Sequence, residues 1–214
     1  MNLDLTADQL LSTTRSVRKR LDLERPVEPE IVLECLDLAL QAPTGSNRQG
    51  WHWMFITDAD KKKALADLYK TNFVAYRDSG ARPAYEDSDT RAQRQSAVTD
   101  SANYLADHFH EVPILMIPLL EGRLDNLPAF AAASTWGSLL PAVWSFMLAL
   151  RSRGLGSAWT TLHLPSEREA AEILDIPFDK YTQGGLFPIA YTIGTDFKPA
   201  ARIPTDQIVH WNSW

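Results

Sequence analysis

The side chains best suited to chemistry in this sequence are two arginines around a hydroxyl, Arg15, Ser16 and Arg18. Each guanidinium can present two parallel N–H donors to one anionic group, so the trio could cradle a phosphate. A solvated basic turn that also takes in Lys19 and Arg20 is the plainer reading of the same run. Asn47 and Gln49 add amide donors and acceptors on a segment, Pro43-Thr44-Gly45-Ser46-Asn47, built from loop-forming residue types. Catalysis by the protein's own side chains finds little support. There is no G-x-S-x-G, no H-E-x-x-H and no Walker lysine motif. His108 and His110 are two apart, which on a helix turns them to different faces and argues against a shared metal. Cys35 falls on the apolar stripe of its helix and reads as core rather than nucleophile. Gly154-Leu155-Gly156 lacks the third glycine of a dinucleotide fingerprint and precedes a strand, so it reads as a helix stop.

These residues need elements to position them. Thr6 and Gln9 form a capping-box pattern ahead of a helix to about Thr13. A second helix runs over about 28–41, with Ile31, Cys35, Leu38 and Ala42 at helical spacing. Trp51 to Thr57 reads as a strand and Asp58 as the cap of a helix over about 59–73. Residues 76–100 are rich in Arg, Asp, Glu and Ser and poor in aliphatics, which predicts an exposed, lid-like insertion. A helix resumes over about 93–109. Val112 to Leu120 is a strand whose two prolines suggest a place near a sheet edge. A long uncharged helix over Leu127 to Leu150 follows, broken or kinked near Pro141. Short strands are expected over Ala158 to Leu162 and Leu186 to Gly194, with a helix from Pro165 to before Pro177 between them. Residues 195–214 form an extended tail. The elements interleave without regular βαβ units, which favours an α+β fold in one domain over 1–214.

Composition sets the outer limits. The 214 residues carry 21 basic and 27 acidic side chains, a formal net charge of −6, which argues against a main role on nucleic acid. A single cysteine excludes an internal disulfide and a cysteine-rich zinc module. The start, Met1-Asn2-Leu3-Asp4-Leu5-Thr6, lacks a basic region followed by an apolar stretch, so a cytoplasmic location is expected. The uncharged segment 127–150 is long enough to span a bilayer. Its prolines, serines and Gly137 make it only moderately apolar, and it reads as a buried core or interface helix instead. The seven tryptophans are a large aromatic load. Trp136 and Trp144 share one face of the uncharged helix, and Trp211 and Trp214 close the tail.

Taken in order, four stretches resemble the nitroreductase family. Arg15-Ser16-Val17-Arg18 is similar to its R-S-x-R opening. Ala42-Pro43-Thr44-Gly45-Ser46-Asn47-Arg48-Gln49-Gly50-Trp51 is similar to its A-P-S-x-x-N-x-Q-P-W loop. Gly154-Leu155-Gly156-Ser157-Ala158-Trp159 is similar to its G-L-G-x-x-W turn, and Ile176-Pro177 through Lys198-Pro199 and Arg202 to its closing segment. The resemblance implies an α+β fold with a central mixed, mostly antiparallel sheet flanked by helices, in an intertwined homodimer with flavin mononucleotide (FMN) at the interface. It places Arg15, Ser16 and Arg18 on the FMN phosphate and ribityl chain, with Arg202 as a second phosphate contact. It places Pro43, Thr44, Ser46, Asn47 and Gln49 on the far side of the flavin, from the partner chain. Trp159, Thr160, Thr161 and Leu162 would run beside the ring. NADH or NADPH would be the electron donor and a nitroaromatic or quinone the acceptor, in a ping-pong cycle. FMN storage, flavin destruction and reductive dehalogenation are alternatives on the same fold. The sequence departs from the pattern at three points. Thr14-Arg15 stands where many members have a basic doublet, and Gly50 replaces the proline before Trp51. Lys198 and Arg202 are four apart, so the closing contact is assigned to Arg202 alone.

Overall fold

A computed structural model describes residues 2–81, 83–86, 89 and 91–214. Arg82, Asp87, Ser88 and Thr90, within the expected insertion, lie outside the described residues, as does Met1. In chain order the elements are α1 (Ala7–Thr13), α2 (Pro29–Ala39), β1 (Trp51–Ile56), α3 (Ala59–Asp78), α4 (Ala92–His108), β2 (Ile114–Glu121), α5 (Ala129–Ser152), β3 (Leu155–Ser157), α6 (Glu167–Ile173), β4 (Tyr181–Gln183) and β5 (Phe187–Tyr191). The fold is α+β, as the interleaved pattern predicts. Local chemistry sets the helix starts. Thr6 and Gln9 close the capping box on α1, and the Asp58 carboxylate accepts from the Lys61 N–H at 2.9 Å on α3.

The sheet has the order β1-β2-β5-β3, with β4 also paired to β2, and every named strand pair is antiparallel. β2 lies inside the sheet, not near its edge. Its apolar residues alternate between two cores. Leu115, Ile117 and Leu119 pack with Leu65, Tyr69, Phe73, Leu105 and Phe109 from the α3–α4 side. Ile114, Met116 and Leu120 pack with Val32, Cys35, Leu139, Val143 and Phe146 from the α2–α5 side. A strand covered on both faces has to be apolar in both registers, which explains the unbroken hydrophobic run. Pro118 is tolerated because it sits where β2 leaves β5, at Met116↔Phe187, and before it takes up β4, at Leu119↔Gln183. Its carbonyl still accepts from the Gly184 N–H at 2.8 Å.

Three further expectations need correction, and one strand had no expectation at all. The helix after Asp58 runs on past Phe73 to Asp78, so the insertion begins inside a helix. α5 continues through Pro141 without a break. The strand expected over Ala158 to Leu162 lies earlier, at Leu155–Ser157, and only Thr160 of the later stretch is bridged, to Leu186. β4 has three residues, too few for a periodic signal. α5 is long and apolar enough to cross a membrane by length and composition, yet one face is buried against α2 and the sheet. Phe130, 80% exposed, and Trp144 lie uncovered on the same helix, and the tail leaves Trp211 and Trp214 uncovered as well.

Candidate functional site

The two glycines of the 154–157 turn have separate physical reasons. Gly154 takes φ 77°, a left-handed conformation that ends α5. Gly156 lets the chain after α1 come close, since a Cβ there would lie 2.7 Å from Thr192 Cγ2 and 2.9 Å from Val17 Cβ. The approach is held by the Val17 N–H, which donates to the Ser157 carbonyl at 2.8 Å, in a parallel bridge at Ser16↔Ser157. The first and third motifs therefore lie side by side.

The basic run divides in two. Lys19 pairs with Asp100, and Arg20 pairs with Asp196 at 2.6 Å. Arg15 and Arg18 have no carboxylate partner among the described residues. Arg15 donates instead to the Lys198 carbonyl at 2.9 Å. Burial lowers its pKa, and the charges of Arg202 and Arg94 lower it further, so three guanidiniums lie within electrostatic reach, with no carboxylate paired to them among the described residues. Arg18 is half-buried and its pKa is also lowered, first by burial. Charges gathered this way are costly unless an anion joins them.

Arg18 lines a cavity of about 380 Å³ walled by α3, α4 and the 159–162 segment. Tyr69, Phe73 and Tyr76 form one side, Gln95, Val98 and Thr99 another, and Trp159, Thr160, Thr161 and Leu162 a third. The segment is pinned at Thr160, whose carbonyl accepts from the Leu186 N–H at 2.8 Å. The N–H groups of Thr161 and Leu162 have no acceptor among the described residues. The three aromatics at positions 69, 73 and 76 had a visible signal, an i, i+4, i+7 stripe, but it matters only because α3 extends to Asp78.

The second predicted group lies elsewhere. Thr44, Gly45 and Gln49 line a separate cavity of about 240 Å³ with Arg48, the end of β2, Arg123, and Ser134, Thr135 and Ser138 of α5. Gly45 N–H donates to Ser138 Oγ at 3.0 Å, and Gln49 Nε2 donates to Asn47 Oδ1 at 2.9 Å. Ser46, Asn47 and Gln49 all have positive φ, 53°, 54° and 50°. Such a cluster of non-glycine residues stores strain and recurs at ligand-holding loops. Pro43 is exposed beside them. Within one chain the structure thus joins Arg15, Ser16, Arg18, Arg202 and the 159–162 segment, and holds 43–49 apart from them. Among the described residues no cluster of His, Cys, Asp and Glu could hold a metal. Cys35 is buried in the core, and burial raises its thiol pKa to about 11.

The sheet, the two flanking helix layers and the anion-seeking arginines define a class. The nitroreductase family model matches residues 11–191, and the chain belongs to that family. No curated protein matches the sequence. Solved structures share the fold. An iodotyrosine deiodinase bound to FMN and 3-iodo-L-tyrosine is 21% identical with a TM-score of 0.74, over 98% of this chain and 100% of its own. The FMN-dependent nitroreductase NfnB from Mycobacterium smegmatis, in complex with NADPH, is 18% identical with a TM-score of 0.68, over 97% and 98%. A BluB-like flavoprotein from Clostridium difficile 630 is 16% identical with a TM-score of 0.70, over 98% and 100%.

Proposed function

We propose that the protein is an FMN-dependent oxidoreductase that takes electrons from NADH or NADPH and delivers them to a nitroaromatic or quinone-type acceptor. The observation that carries this is the cavity lined by Arg18 and the 159–162 segment, with Arg15, Arg94 and Arg202 in electrostatic reach of one another and paired to no carboxylate among the described residues. That donor set fits FMN: guanidiniums for a phosphate, then a half-buried cation, then amides for a ring. FMN would supply the hydride and electron chemistry, which is why no side-chain acid, base or nucleophile is needed. Arg15, Ser16 and Arg202 hold the phosphate and Arg18 the ribityl region. The Thr161 and Leu162 N–H groups present fixed dipoles where negative charge develops. The aromatic wall of Tyr69, Phe73, Tyr76 and Trp159 excludes water and offers flat faces to donor and acceptor in turn, which suits a ping-pong order.

The unit we propose is one FMN-binding domain over 1–214, with a lid over about 74–100, acting as a cytoplasmic homodimer. Two half-sites on one chain support the dimer, since the 43–49 loop would complete the partner's site. The uncovered Phe130, Trp144, Trp211 and Trp214 give that partner an apolar surface to bury. Anaerobic mixing of the purified protein with NADH and with NADPH, followed by an acceptor panel, tests the reading. Yellow flavin bleached by a nucleotide and recoloured by a nitroaromatic or quinone is expected. Protein that stays colourless after FMN is added rejects it, flavin that neither nucleotide bleaches indicates a holding protein, and halide release indicates a dehalogenase.

A further inference from the structure

A chain of polar side chains runs from the cavity of the 43–49 loop to the 159–162 segment that walls the other cavity. Arg123 lines the cavity of the 43–49 loop. Its guanidinium grips Glu167 of α6 as a two-pronged fork, at 2.9 and 2.7 Å, and its ring-stacking face lies over Phe178. The same Glu167 carboxylate accepts from the Gln183 N–H on β4 at 2.8 Å. Gln183 Nε2 donates to the Glu167 carbonyl at 2.9 Å, which commits the amide's donor end. Gln183 Oε1 therefore faces His163 Nε2 at 3.1 Å as an acceptor, and that ring nitrogen carries the proton. His163 is fully buried and follows Leu162 directly. Its Nδ1 is left without a partner among the described residues.

An apolar residue would fill the place of His163 without that orphaned nitrogen, which costs about 1–3 kcal/mol when buried. What an imidazole adds is direction. A chain of directional hydrogen bonds favours one orientation of the backbone that carries it. We propose that Arg123, Glu167, Gln183 and His163 form a positioning relay that sets the direction of the Thr161 and Leu162 N–H groups from the wall of the opposite cavity. None of the four lines the cavity walled by the 159–162 segment, so they act on it through that segment. The inference rests on the flavin reading above for its effect on redox chemistry, but not for its effect on the segment itself.

Both parts can be measured on the full chain. Backbone 15N relaxation of the FMN-free protein should give Thr161 and Leu162 order parameters near those of rigid backbone, about 0.85. In Gln183→Leu and His163→Leu they should fall below about 0.6, while His163→Gln, which can still donate to Gln183, should keep them. With FMN bound, the two leucine variants should keep wild-type flavin stoichiometry but show a more negative flavin reduction potential, restored in His163→Gln. Unchanged order parameters and potential in the leucine variants would overturn the relay. So would a wild-type ring nitrogen spectrum showing the proton on Nδ1 of His163, a measurement that needs no variant to fold. Failure of the wild type to take up FMN would instead reject the flavin reading and leave the relaxation result to decide the relay.

Discussion

Arg15 Nη1 donates to the Lys198 carbonyl at 2.9 Å, tying the first basic run to the tail that carries Arg202. The contact leaves most of the guanidinium's donors free, with Arg202 and Arg94 near enough to depress its pKa. Loss of a charge-assisted hydrogen bond is worth about 1.5–3 kcal/mol. Arg15→Ala should therefore weaken FMN binding about 10- to 100-fold, measured by quenching of flavin fluorescence. Arg20 already pairs with Asp196, so Arg20→Ala should change the affinity less than about twofold. Equal losses in the two variants would contradict the division of the basic run.

Gly156 makes a sharper structural prediction. A Cβ at this position meets Thr192 and Val17 well inside contact distance, and both neighbours belong to packed segments. Gly156→Ala should lower stability by about 1–3 kcal/mol in urea denaturation, because neither side can retreat without opening the Ser16–Ser157 bridge. Loss of FMN should accompany it, since Arg15 and Arg18 flank that bridge.

The loop of three left-handed residues predicts opposite signs for two substitutions. Ser46 sits at φ 53°, a region that a β-branched side chain resists. Ser46→Val should destabilise the protein by about 1–3 kcal/mol, and Ser46→Gly should hold or raise its melting temperature. Differential scanning fluorimetry of the two variants beside wild type decides this. A wild-type melting temperature in Ser46→Val would mean that the loop is not held in this conformation.

Much of this arrangement could be read from the sequence, for identifiable reasons. α1 announced itself by its capping box and α2 by its 3.6-residue spacing, and Arg15, Ser16 and Arg18 by the rarity of such a trio. The place of β2 was misread because a proline suggests an edge. Only the handover from β5 to β4 at Pro118 makes an interior position tolerable, and that is a property of three strands together. Trp159 and its neighbours read as a strand in the sequence, yet they form an irregular segment held to Leu186 by the carbonyl and hydroxyl of Thr160. Arg123, His163, Glu167 and Gln183 gave no signal at all. They are ordinary residue types scattered over 60 positions, and their relation exists only once α6 and β4 are folded against each other.

His163 also predicts how stability responds to acid. Burial holds its pKa at about 4, against an ordinary value of 6.5, with the Gln183 contact only partly opposing the shift. The depressed value means that the unfolded chain binds a proton below pH 6.5 that the folded protein refuses until about pH 4. Stability from this group is therefore complete above pH 6.5, falls as the pH drops toward 4, and levels off below it. The full loss is at most about 3 kcal/mol. Urea unfolding of wild type and His163→Gln at about pH 7.5 and pH 4 isolates the contribution, because other carboxylates titrate alike in both. The gap between the two proteins should move by up to about 3 kcal/mol in favour of the variant at the lower pH. A gap that stays constant would show that the folded protein accommodates a charged His163.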